Sequence, residues 1–121
     1  APIEHWDRRK VSTYFKVVDD WMKRHSVPPS RMYVAEFGAY READGVVDYF
    51  KDHLDHFNAK GWHWSFYSYR EDDGFPQMDY ELGSGKVPPA YWDCEKDYGC
   101  EKAGVYKKDN PLWQAIRTGL R

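Results

Sequence analysis

The chain has 121 residues, which is the length of one domain with a modest core. Its composition, 41% hydrophobic and 31% charged, excludes a disordered chain. A formal net charge of −2 gives no electrostatic basis for a nucleic-acid partner, and no apolar run approaches the roughly 18 residues of a membrane span. We therefore expect a globular domain with neither a nucleic-acid nor a membrane partner.

The first predicted element is a helix from Asp7 to His25. Apolar residues recur there at intervals of three and four, which places them on one helix face. Asp7 is a suitable N-cap, and Pro28 and Pro29 prevent the helix from continuing. The residues of this stripe are Val11, Tyr14, Phe15, Val18, Trp21 and Met22.

Two short strands surround a second helix. The segment from Arg31 to Gly38 is apolar and ends in a carboxylate and a glycine, so it is predicted as a strand. A helix is predicted from Gly45 to Lys60, followed by Gly61 at the position where helices favour glycine. The aromatic segment from Trp62 to Tyr67 is predicted as the second strand.

The rest of the chain is predicted as a long loop, from Ser68 to about Asp109, and a last helix from Asn110 to Leu120. The alternation of helices and strands predicts an α/β fold with parallel strands. Two strands alone cannot form a parallel sheet buried on both faces, and so long a loop is unusual unless it lines a site. We therefore expect residues 1–121 to be part of a larger domain.

The aromatic content of 18%, with 6 Trp and 10 Tyr, has two explanations. Trp and Tyr combine a flat apolar face with a polar edge, which suits stacking against sugar rings. An aromatic-rich core would give the same composition.

The two cysteines, Cys94 and Cys100, have five residues between them. A zinc site is disfavoured because no second pair of ligands lies nearby. We expect a local disulfide between Cys94 and Cys100, which implies an oxidising compartment; two free thiols are the alternative.

Glu36 is the main candidate for chemistry. It closes an apolar strand, and in α/β barrels the carboxyl ends of strands point into the active site. A carboxylate there can act as a nucleophile or as a base. The alternative is a structural ion pair with an arginine, for which Arg31, Arg41 and Arg70 are available.

Other titratable residues have weaker patterns. His53 and His56 lie three residues apart in the second helix, beside Asp52 and Asp55; this spacing can bind a metal, but an exposed helix face is the more common explanation. Further carboxylates are candidates by residue type only, and positions in solvated loops or pairing with arginines are the favoured explanation. They are Glu42, Glu71, Asp72, Asp73, Asp79 and Glu81.

Several segments together resemble glycoside hydrolase family five, the cellulase-like (β/α)8 barrels. The segment Val34–Gly38, with the sequence VAEFG, resembles the family's strand-seven signature, although Ala35 replaces the commoner Gly. The Trp-rich segment 61–68 resembles strand eight, and the segments 69–72 and 78–83 resemble the loop after it. Asn110-Pro111-Leu112-Trp113 resembles the start of the last helix. The likeness follows the family's order over nearly the whole chain.

This resemblance implies the C-terminal part of a TIM barrel and a retaining glycosidase in which Glu36 is the nucleophile. Such enzymes also need a carboxylic acid that protonates the leaving oxygen. The family carries that acid in an Asn-Glu-Pro motif on strand four, which does not occur here. We expect that strand, together with the rest of the barrel, to precede Ala1.

The resemblance also implies a β-linked glucan or related polysaccharide as substrate and no metal or other cofactor. The oxidising compartment that a disulfide implies leads us to expect a secreted protein, extracellular or periplasmic. Trp64 is expected to be the sugar platform at the end of strand eight, with a core position as the alternative. Tyr40, Tyr67 and Arg70 are expected at the rim of the cleft. The alternative function is a non-catalytic fragment that binds carbohydrate or assembles with copies of itself.

Overall fold

The computed structural model describes residues 5–71, 74–86 and 110–120. Within these residues the helices are α1 (Arg8–Arg24), α2 (Val46–Lys60) and α3 (Pro111–Gly119). The strands of the described part are β1 (Tyr33–Val34) and β2 (His63–Trp64). Single 3-10 turns lie at Pro29–Arg31, Pro76–Met78 and Tyr80–Leu82.

The helix ends lie where the sequence predicts them. The Asp7 carboxylate caps α1 by accepting a hydrogen bond from Lys10 N at 2.8 Å, and the Asn110 side chain caps α3 through Trp113 N at 2.8 Å. Gly61 ends α2 with a φ of 71°, a left-handed conformation that glycine adopts at little cost. The three predicted helices are therefore confirmed, with boundaries within a residue of the prediction.

The two strands pair in parallel, with Tyr33 opposite His63 and Val34 opposite Trp64. This confirms the predicted parallel pairing. Both strands are much shorter than the predicted segments 31–38 and 62–67. Regular pairing ends after Val34 because the segments that follow β1 and β2 are no longer in register there.

The core lies between the sheet and the helices, with α2 at its centre. Phe50 and Phe57 of α2 are fully buried, and α2 packs against both α1 and α3. Leu112 and Ile116 of α3 are also fully buried. Phe37, from the segment after β1, completes this core and is 7% exposed.

The apolar stripe of α1 is only partly covered. Val11 and Met22 are buried, whereas Tyr14 and Trp21 are 59% and 50% exposed. The six-residue stripe is therefore wider than the surface that α2 covers. Within the described residues, none of the helices is both long enough and apolar enough to cross a bilayer.

His53 and His56 lie at the interface between α1 and α2. His53 is 2% exposed, so the expected exposed face is wrong for this residue. His56 stacks on Phe15 with ring centres 5.4 Å apart, and its buried Nε2 has no hydrogen-bond partner among the described residues. Burial lowers the pKa of both imidazoles below the usual value, because desolvation disfavours the charged ring.

Phe37 is predicted to be the most costly single truncation near β1. Phe37→Ala removes a ring that contacts Phe50 and Phe57, and a large cavity should lower the free energy of unfolding by about 3–5 kcal/mol. Urea unfolding followed by circular dichroism measures this value. Tyr33→Ala, at a ring that is 56% exposed, is the control and should change it by less than about 1 kcal/mol. Equal losses in the two variants would contradict the core position of Phe37.

The two interface histidines predict acid sensitivity. Because their pKa values are lowered on folding, the unfolded chain binds more protons as the pH falls below about 6.5. The free energy of unfolding should keep its full value above that pH and should decrease below it. Urea midpoints measured between pH 4.5 and 8 will show this. His56→Phe keeps the ring stacking and should reduce this decrease. The matched control, His25→Gln at the exposed end of α1, should retain the full decrease.

Candidate active site

The chain contains a bulge directly before Phe37. His63 N and Ser65 N donate to the carbonyl oxygens of Met32 and Val34, at 2.9 and 3.0 Å. The next bond of this ladder, from Tyr67 N, goes to the carbonyl of Phe37 at 2.9 Å rather than to that of residue 36. The three residues 35–37 after β1 therefore span the distance that the two residues 66–67 after β2 cover, which is the pattern of a β-bulge.

The bulge sets the direction of Glu36. In a regular strand, residue 36 would share the helix-facing side with Met32 and Val34. Instead Ala35 and Glu36 are both exposed, and Phe37 takes the buried position. Glu36 thus lies on the surface at the carboxyl end of β1. In the part of the chain that the structure describes, its carboxylate makes no hydrogen bond or ion pair.

The three arginines considered as partners of Glu36 do not pair with it within the described residues. Arg41 is 2% exposed and donates its hydrogen bonds to backbone carbonyls of the loop after β2. Arg70 holds Glu81 with two hydrogen bonds of 2.8 and 3.0 Å. Arg31 is exposed on the turn before β1. The structure therefore does not favour the structural ion pair as the explanation of Glu36.

A close backbone approach at Gly38 joins the segment after β1 to the segment after β2. A Cβ atom on Gly38 would lie 2.4 Å from the Tyr80 hydroxyl and 2.6 Å from the Tyr67 carbonyl, so no larger residue fits. The Tyr80 hydroxyl accepts a hydrogen bond from Ala39 N and donates one to Ala39 O, each at 3.0 Å. Burial raises the pKa of Tyr80 to about 12, so the phenol remains a neutral donor at physiological pH.

Arg41 forms a second connection between the same two segments. Its Nε donates to the carbonyl of Pro76 at 2.9 Å, and its Nη1 donates to the carbonyl of Gly83 at 3.1 Å and to that of Gly85. Its Nη2 pairs with Glu42 at 3.0 Å, and its backbone N donates to the carbonyl of Gln77 at 2.8 Å. One buried guanidinium thereby fixes the loop after β1 against the loop after β2.

Three aromatic rings lie along the edge where these loops meet. Phe75 is 39% exposed and Tyr40 is 59% exposed, with ring centres 6.3 Å apart and nearly perpendicular. The Tyr67 ring lies 6.3 Å from Phe75 on a tilted plane. Sequence reasoning selected Tyr40 and Tyr67 but missed Phe75, whose position depends on the Pro76–Met78 turn and on Arg41 rather than on a motif.

Trp62 and Trp64, the two tryptophans of the segment 62–67, face the helices. Trp62 is 4% exposed and contacts Phe15 and Phe57. Trp64 is half-buried against the core, and its Nε1 donates to the Asn58 side chain of α2 at 2.9 Å. The role of Trp64 as a sugar platform stays a prediction.

Arg70 belongs to a network with Glu81 and Tyr69. The Tyr69 hydroxyl donates to Glu81 at 2.8 Å, on the carboxylate that Arg70 also holds. The Arg70 guanidinium lies 5.7 Å from the centre of the Tyr69 ring. Because about half of the Arg70 side chain is exposed, it can still contact a ligand. Its role in binding stays a prediction.

The other candidate carboxylates that the structure describes are engaged within the fold. Glu42 pairs with Arg41, Glu81 pairs with Arg70, and Asp79 is fully buried and accepts a bond from Glu71 N at 3.2 Å. Among the described residues, no three histidine or carboxylate side chains are placed to hold a metal ion. Asp72, Asp73 and the predicted disulfide pair Cys94 and Cys100 lie outside the described residues.

Comparisons with known proteins assign the chain to no family. No protein-family model matches the chain, and no curated protein is significantly similar to it. The resemblance to glycoside hydrolase family five therefore depends on the segments quoted above.

Removal of the Arg41 guanidinium tests its structural role. Arg41→Met keeps most of the side-chain volume but leaves the carbonyls of Pro76 and Gly83 without their donor. The free energy of unfolding should fall by about 3 kcal/mol, since hydrogen bonds to a charged group are lost in a buried position. Arg31→Met, at an exposed arginine, is the control and should change stability by about 0.5 kcal/mol or less in the same urea titration.

Proposed function

We propose that this chain supplies the nucleophilic carboxylate, Glu36, to a retaining glycoside hydrolase that acts on a β-linked polysaccharide. The observation that carries the proposal is the bulge after Val34, which turns Glu36 away from the helices at the carboxyl end of a parallel strand. Bulges are common beside active sites because they redirect a side chain without unfolding the strand. A carboxylate that has no partner among the described residues is available to a substrate.

The architecture agrees with two neighbouring strands of a (β/α)8 barrel. The strands β1 and β2 are parallel, and α2 connects them and packs on one side of the sheet. In such barrels the other side of the sheet faces the interior, and the active site lies at the carboxyl ends of the strands. Glu36, Tyr40 and Tyr67 all follow the paired residues of β1 and β2 toward that end.

The proposed reaction is a double displacement. The Glu36 carboxylate attacks the anomeric carbon, and the glycosidic bond breaks as the leaving oxygen takes a proton from a second carboxylic acid. Water then cleaves the glycosyl ester and restores the carboxylate. The second acid belongs to the remaining strands of the barrel, which are the proposed partner of this chain. The mechanism uses no metal, and a secreted location suits a polymeric substrate.

Covalent labelling tests the nucleophile directly. A 2-deoxy-2-fluoro-β-glucoside with a 2,4-dinitrophenolate leaving group needs no acid for its departure, so it isolates the first step. In the barrel completed by the remaining strands, the inactivator should release one dinitrophenolate per chain. The peptide that contains Glu36 should then gain the mass of the fluorosugar, as measured by mass spectrometry of a digest.

Two variants define the outcome. Glu36→Gln should lose labelling and should reduce hydrolysis by at least about 10³-fold, because the amide cannot form the glycosyl ester. Asp44→Asn, at an exposed carboxylate in the loop before α2, is the matched control and should retain both. Labelling of another residue would refute Glu36 as the nucleophile. Absence of labelling, together with a native mass of this chain that is several times 14.4 kDa, would instead favour a self-assembling fragment.

A further inference from the structure

We propose that Ser65 and Tyr33 are positioning residues for Glu36, because their hydroxyl groups hold the peptide group between Ala35 and Glu36 at the bulge. This inference rests on the proposed function and deepens it, since it assigns part of the control over the nucleophile to side chains of the sheet. Both residues act through the backbone and not on the reacting atoms.

Ser65 lies at the start of the bulge and makes two bonds to it. Its backbone N donates to the carbonyl of Val34 at 3.0 Å, which is the last regular bond of the ladder. Its hydroxyl donates to the next carbonyl, that of Ala35, at 2.5 Å. A bulge interrupts the backbone ladder. The Ser65 side chain therefore supplies a hydrogen bond at the point where the backbone ladder stops.

The Tyr33 hydroxyl orients the Ser65 hydroxyl. The two oxygens lie 2.8 Å apart. A carbonyl oxygen can only accept a hydrogen bond, so the one proton of the Ser65 hydroxyl is directed to Ala35 and the Tyr33 hydroxyl must be the donor to Ser65. The bonds thus run in one direction, from Tyr33 through Ser65 to the carbonyl of Ala35.

These bonds fix the backbone of Glu36 on its N-terminal side. The carbonyl of Ala35 and the amide nitrogen of Glu36 belong to one planar peptide group, so a bond to the carbonyl sets the orientation of that group. On the C-terminal side, the ring of Phe37 lies in the core and its carbonyl accepts from Tyr67 N at 2.9 Å. The carboxylate of Glu36 is therefore carried by a backbone that is held on both sides.

The location of Ser65 and Tyr33 separates positioning from stability. Both side chains lie on the face of the sheet opposite the helices, and Tyr33 is 56% exposed. Hydrogen bonds that exchange with bonds to water contribute little to the free energy of unfolding. A reacting group, by contrast, loses rate steeply when it is displaced by a fraction of an ångström or more. Loss of these bonds should therefore slow the reaction of Glu36 without unfolding the chain.

The rate of covalent labelling tests the positioning role. Dinitrophenolate release from the same fluoroglucoside, followed over a series of concentrations in the completed barrel, gives a saturating rate, a half-saturating concentration and an amplitude. Ser65→Val removes the hydroxyl and should lower the saturating rate by about 10- to 100-fold. The half-saturating concentration should stay within about twofold, since binding of the inactivator is not changed. The amplitude should remain one dinitrophenolate per chain.

Two further variants separate the hydroxyl from the shape of the side chain. Ser65→Thr has the shape of Ser65→Val but keeps the donor, so its saturating rate should stay within about threefold of the original rate. Tyr33→Phe removes only the donor to Ser65 and should lower the rate by about threefold.

Thr13→Val and Tyr14→Phe are the matched controls, because both residues are exposed on α1, and they should leave the rate unchanged. A rate in Ser65→Val equal to the original rate, or equal losses in Ser65→Val and Ser65→Thr, would overturn the positioning role. A lower amplitude at an unchanged rate would also overturn it, since that result indicates partial unfolding. Each of these outcomes keeps Glu36 as the nucleophile. If the unmodified chain is not labelled at Glu36, the nucleophile itself is rejected, and the positioning role is rejected with it.

Discussion

The contact between Phe37 and α2 is the constraint on which the candidate site depends. The Phe37 ring packs edge-on against Phe50 and Phe57, and it lies 5.1 Å from the buried His53. Since the hydrophobic core holds Phe37 on the helix side, the chain must fit one additional residue between Val34 and Phe37. That residue is accommodated by the bulge, which leaves Glu36 facing outward. Packing on one side of the sheet thus determines the direction of a carboxylate on the other.

A second constraint is the pair of polar connections between the loops after β1 and β2. Tyr80 and Arg41 are both buried, and both bond to backbone groups of the other loop. Burial of these groups would be costly if any bond were missing, and the cost makes the arrangement specific. The loops therefore meet in one geometry, in which Gly38 permits contact between backbones and Tyr40 lies beside Phe75. The positions of Tyr40 and Phe75 follow from these buried polar groups rather than from the contact between the two rings.

The sequence allowed the local features to be predicted but not those that depend on distant contacts. Helix ends follow from neighbouring residues such as Asp7, Gly61 and Asn110, so all three helices were predictable. The bulge depends on the register between segments some 30 residues apart, and no local pattern near Glu36 reveals it. Burial of His53 was missed for a similar reason, because α1 covers a helix face that is polar by composition. Phe75 was missed since its neighbours in space, Tyr40 and Tyr67, are distant in sequence.

The aromatic residues fall into two groups that the sequence alone could not distinguish. Residues on the helix side, such as Phe57 and Trp62, form the core by contacts between their rings. Trp64 lies with this group and bonds to α2 through Asn58. The second group follows the ends of the strands, where Tyr67, Phe75 and Tyr40 remain partly or largely exposed. The same residue types therefore build the core on one side of the sheet and an exposed aromatic surface at its carboxyl end.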